Sequence, residues 1–186
     1  LFRGASATRS PTVLLLGGFV IHSIALTSLF FREGFATVAV MGDALLFNSW
    51  LMVGIYLLIQ LKYPLAVLGA IVAPLAFLMT FAAFAVGGGA GEIPPGFQTF
   101  WLPLHVTLAF LGNAIFALAF GVSVIYLLQE RHLKHKKLTI LMKRFPSLES
   151  LDGLNYRLLM WGFPLMTLGI LTGSLWAGIH WGDYWS

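Results

Sequence analysis

The chain has 186 residues, 59% apolar and 10% charged, with a formal net charge of +4 and no cysteine. Apolar residues gathered in five runs, each near the roughly 20 residues a helix needs to cross hydrocarbon, exclude a soluble domain and imply an integral membrane protein. The missing cysteines exclude thiol exchange, an iron–sulfur cluster and disulfides, and the positive charge, read by its location, gives no nucleic-acid signal.

In chain order the expected spans run from Thr12 to Phe31, Ala44 to Leu61, Pro64 to Val86, Leu104 to Leu128 and Leu158 to Ile179. The expected fold is all-α: a polytopic transmembrane helix bundle of about five spans, with residues 1–186 forming a single membrane domain. With the amino terminus cytoplasmic, ten of the eleven Lys and Arg residues lie inside and Arg32 alone lies outside, as the positive-inside rule requires. The loop from Gln129 to Arg157 is then inside. The Arg32 to Asp43 loop, the Gly-rich Gly87 to Pro103 loop and the tryptophan-rich Trp181 to Ser186 segment are outside. Leu1 and Ser186 do not read as natural termini, so the chain is expected to be a piece of a longer protein, without a cleavable signal peptide.

Gly169, Gly173 and Ala177, four apart, form a small-residue stripe suited to close helix packing. Pro74 and Pro164 fall inside spans and are expected to bend them.

No charged residue falls deep within a span, so candidate chemistry rests on the histidines. Pro103 places His105 at the start of the fourth span, where a neutral imidazole on a rigid helix end suits an axial ligand to porphyrin iron, or plain solvation. His180 adjoins Trp181 on the same face, amid Trp176, Tyr184 and Trp185. Such aromatics fit either an interfacial belt or a stacking platform for a flat ligand. His22 lies mid-span, a costly depth that suits a ligand role or a neutral ring bonded within the bundle. His132 and His135 have two-ligand spacing, but Arg131, Lys134, Lys136 and Lys137 oppose a cation there and favour lipid headgroups.

The second half carries a specific resemblance. Trp101-Leu-Pro-Leu-His105-Val-Thr-Leu-Ala-Phe, Tyr126-Leu-Leu-Gln-Glu130, Leu151-Asp-Gly-Leu-Asn-Tyr-Arg157, Gly162 to Gly173, and Trp176 through Trp181-Gly-Asp-Tyr-Trp-Ser186 follow one another in order. Together they resemble the CcsA/ResC branch of the cytochrome c assembly family, the tryptophan-rich haem-handling proteins of system II cytochrome c biogenesis. More loosely, Arg32 to Trp50 resembles a family motif of an arginine, a Gly-Pro-Asn-Glu pattern and an aromatic-rich helix. Asp43 stands where glutamate is usual, and it also fits a helix cap.

The resemblance implies that His105 is the first of two external histidines ligating haem iron, and that Trp176, Trp181, Tyr184 and Trp185 help hold the macrocycle. The family segment continues with Trp-Asp-Pro-Lys-Glu, a span bearing a histidine, and the second external histidine, none of which this sequence contains. His180 matches no family ligand but could substitute for one, and His22 matches none. The implied cargo is haem b, and the implied partners are a CcsB/ResB-like membrane protein and apocytochrome c, whose Cys-x-x-Cys-His segment supplies both thiols. The implied place is a bacterial plasma membrane or a thylakoid membrane. No residue here is expected to be catalytic in itself; the chain would orient haem within a synthase complex. Other readings are haem transport or chaperoning without attachment, an inert fragment, and a b-type cytochrome subunit using His22.

Overall fold

The computed structural model describes residues 3–63, 65–88, 99–134 and 146–182, with backbone alone for 3–10. Among them lie five long α-helices: α1 (Arg3–Glu33), α2 (Met41–Lys62), α3 (Ala66–Val86), α4 (Trp101–Lys134) and α5 (Leu148–Trp181). A short 3₁₀ turn, Phe35–Ala39, joins α1 to α2. Each helix is long and apolar enough to cross a bilayer, which is how a chain in hydrocarbon satisfies every backbone N–H and C=O within its own segment.

Four of the five expected spans sit inside these helices; the third, expected from Pro64, starts outside the described residues, whereas α3 begins at Ala66, and α4 and α5 run on beyond the apolar stretches. Residues 148–157, assigned by sequence to an inside loop, form the first turns of α5. The reason is local: the Ser147 side chain caps the helix by accepting from the Ser150 N–H at 3.2 Å. Leu151 and Leu154 then recur three apart and are buried in the core. Pro74 and Pro164 lie within unbroken helices, as does Pro11.

Neighbouring helices pack antiparallel. Trp50 on α2 donates its indole N–H to Ser23 Oγ on α1 at 2.7 Å, and Phe19 stacks on the same indole with ring centroids 5.5 Å apart. Ser49 on α2 meets the Ala76 carbonyl and the Thr80 hydroxyl of α3, each at 3.3 Å. The carboxyl ends of α1, α3 and α5 therefore share one face of the bundle with the amino ends of α2 and α4. We call this the His105 face.

The α4–α5 pair is the tightest seam. His105 stands opposite Gly173, Ala109 opposite Gly169, Gly112 opposite Met166 and Phe116 opposite Gly162. The register continues to Ser123, whose hydroxyl accepts from the Asn155 amide at 3.0 Å. Each step along α4 is matched by an equal step back along α5 over nearly the whole of α4. In a bilayer, where apolar faces gain little by leaving lipid, such pairing rests on close van der Waals approach through small residues.

Candidate functional site

The first two turns of α4 and the last turns of α5 build the site. Pro103 occupies the third helical position, where its missing N–H is one of the unpaired donors of any helix start. His105 follows on the second turn, half-buried between helix and membrane.

Its ring is held by α5. Nδ1 lies 2.8 Å from the carbonyl oxygen of Gly169. A carbonyl only accepts, so in the neutral ring Nδ1 carries the proton and Nε2 is left as the lone-pair nitrogen. The imidazole lies flat on the helix because residue 173 is glycine: a Cβ there would stand 2.5 Å from Cε1 and 2.7 Å from Nδ1. At Gly169 a Cβ would meet the Ala109 backbone at 2.8 Å, so both glycines set the helix separation that brings the carbonyl to the ring. The stripe identified in the sequence as packing is thus also the seat of His105.

One and two turns further along α5 lie the aromatics. Trp176 is buried, at 8% exposure, and the His180 ring stacks on it with centroids 4.7 Å apart and planes 20° from parallel. His180 Nδ1 donates to the Trp176 carbonyl at 3.0 Å, which again leaves Nε2 as the acceptor nitrogen. Trp181, 56% exposed, meets Trp176 edge-on at 4.9 Å. Gly173 and His180 are seven residues apart, two turns along one helical face and about 10 Å in rise. The expected site residues His105, Trp176, His180 and Trp181 therefore share one end of the α4–α5 seam. Tyr184 and Trp185 lie outside the described residues.

His22 is not part of this assembly. It lines a separate cavity of about 750 Å³ whose walls come from α1, α2 and α3. Its Nε2 is buried without a hydrogen-bond partner. Asp43 does not cap α2: the N-cap is Val40, and Asp43, in the first helical turn, accepts from the Thr37 hydroxyl. His132 is exposed, with Nδ1 on the Leu128 carbonyl, and His135 lies outside the described residues. Among the described residues no group of three His, Asp or Glu side chains could hold a metal ion.

Sequence reasoning missed the role of the Gly169 carbonyl. A backbone acceptor has no signature of its own; the available signal was the glycine pair, which marks where a neighbouring ring can lie close to a backbone.

The family model described as Cytochrome C assembly protein matches residues 38–186. The chain belongs to that family. It is 34% identical over 163 residues to the cytochrome c biogenesis protein CcsA of Chlamydomonas reinhardtii, covering 83% of this chain and 45% of that protein. It is 30% identical over 172 residues to the protein HemX of Brevibacillus brevis, covering 89% of this chain and 63% of that one. CcsA of Prochlorococcus marinus is 24% identical over 201 residues. The chain thus spans about half to two thirds of the length of these relatives. No solved structure matches.

The donor set at His105 fits an axial ligand to haem iron. An imidazole that donates one ring N–H to a backbone carbonyl is fixed in tautomer and orientation, as metal-ligating histidines are. Trp176 and His180 add a flat stacked surface on the same face.

Proposed function

We propose that the intact protein handles haem in cytochrome c biogenesis, holding it at the His105 face and assisting its covalent attachment to apocytochrome c. The observation that carries this reading is the His105 Nδ1 to Gly169 carbonyl contact of 2.8 Å, which leaves Nε2 as the lone-pair nitrogen. His105 would hold the iron, and Trp176, Trp181, Tyr184 and Trp185 would grip the macrocycle, with His180 available as a substitute ligand. Bound haem b would supply the vinyl groups to which the two thiols of a Cys-x-x-Cys-His segment add. The chain's own part is to bind, orient and exclude water, with the α4–α5 seam as the rigid support.

The charge distribution supports placing the His105 face outside, since Lys62, Arg131, Lys134 and Arg157 lie toward the opposite ends of their helices and Arg32 lies at the His105 face. That face would be periplasmic in a bacterial plasma membrane or lumenal in a thylakoid. A CcsB/ResB-like membrane protein is the proposed partner.

The test is a visible absorption spectrum with pyridine haemochrome quantitation of the detergent-purified chain beside a His105→Ala variant. Haem retained by the parent and lost from the variant is the expected result. Haem retained equally by both would overturn the assignment of His105.

A further inference from the structure

The cavity between α1, α2 and α3 is independent of the His105 seam and has a chemistry of its own. Along α1 it is lined from Leu14 to Arg32, a length of about 27 Å at the helical rise. Its volume of about 750 Å³ over that length gives a mean cross-section of about 30 Å², a long slot and not a broad chamber. The lips are apolar and open sideways to the membrane: Leu14 and Ile21 on α1, and Phe77 and Phe84 on α3, line it and are exposed.

Charge sits only at the His105-face end, where the Arg32 guanidinium and the Asp43 carboxylate line the same mouth. Among the described residues neither has an ion-pair partner. Asp43 is only 3% exposed, and its described side-chain bond comes from the Thr37 hydroxyl. Two opposite charges at one end of an apolar slot match a zwitterion with a tail. A buried carboxylate is best satisfied by N–H donors, which a primary ammonium has and a trimethylammonium lacks. His22, halfway along, lines the slot and has its Nε2 buried without a hydrogen-bond partner.

We infer that this groove is a phospholipid site, with an acyl chain along α1 and a zwitterionic, primary-ammonium headgroup clamped between Arg32 and Asp43. The phosphate faces Arg32 and the ammonium faces Asp43. This site does not depend on the haem reading.

The experiment incubates the purified chain with vesicles of equal parts phosphatidylethanolamine, phosphatidylcholine and phosphatidylglycerol, then counts retained lipid by native mass spectrometry. The expected result is one phosphatidylethanolamine per chain, enriched about tenfold over each competitor, the factor one charge-assisted hydrogen bond supplies. Arg32→Gln should release all three lipids, and Asp43→Asn should retain lipid but lose the preference over phosphatidylcholine. Gly18→Phe fills the slot at a position where an added Cβ meets nothing within 4 Å, and should abolish retention in a chain that still elutes as one monodisperse peak. If Asp43→Asn does not fold, Arg32→Gln and Gly18→Phe decide the matter. No retained lipid, a preference for phosphatidylglycerol, retention by Gly18→Phe, or a Soret band that His22→Ala removes would overturn the proposal.

Discussion

The imidazole of His105 lies against Gly173, with Nδ1 2.8 Å from the Gly169 carbonyl one turn earlier in α5. Two successive helices are thus joined through residues 64 positions apart. Small residues on one helix set the pose of a functional side chain on the other.

Gly173→Ala should therefore act on the ring before it acts on the fold. The new Cβ, 2.5 Å from Cε1, forces the imidazole to rotate, at a cost of about 1–3 kcal/mol typical of overpacking. We expect haem content by pyridine haemochrome to fall with thermal stability reduced. Gly153→Ala, where a Cβ meets nothing within 4 Å, is the control, and should leave haem content unchanged with stability equal or up to about 1 kcal/mol higher.

Gly169→Ala should be worse for the helix pair. The obstructing atoms at 2.8 Å are Ala109 backbone, which cannot rotate away as a side chain can. Separation of α4 from α5 should exceed that in Gly173→Ala, measured as a larger loss of resistance to unfolding in SDS.

At the far end of the same seam, Ser123 and Asn155 offer a direct measure of interhelical hydrogen bonding. A double-mutant cycle with Ser123→Ala and Asn155→Ala should return a coupling of about 0.6 kcal/mol, and not above about 1.7. A coupling of zero would show that the register is held by packing alone.

Thr37 and Asp43 are both nearly fully buried, and the Thr37 hydroxyl is the donor described for the carboxylate. Thr37→Val removes that donor while keeping the shape, and should destabilise the chain by about 1–3 kcal/mol. Thr37→Ser, which keeps the hydroxyl, should recover most of the loss in a thermal unfolding assay.

The sequence by itself determined the number and place of the membrane-spanning helices. Hydrocarbon offers no partner to a backbone N–H or C=O, so each long apolar run, from Thr12 to Phe31 through Leu158 to Ile179, had to become a helix. It also placed His105 at a helix start, through Pro103, and set Trp176, His180 and Trp181 at one end of α5. It stopped short at Leu148 to Arg157, where ten residues too polar for a span are helical through a cap at Ser147 and burial of Leu151 and Leu154 against the bundle.

Only the tertiary structure decided which helix meets which. It turned Gly169 and Gly173 toward α4, gave the His105 proton its acceptor, buried Trp176 while leaving Trp181 exposed, and placed Asp43 beside Thr37 instead of at a cap. The reason is physical: in a bilayer a lipid-facing surface and a buried one are equally apolar, so hydropathy marks a span but not its partner. Partners are chosen by shape, through contacts between residues some sixty positions apart, and those exist only once the helices have come together.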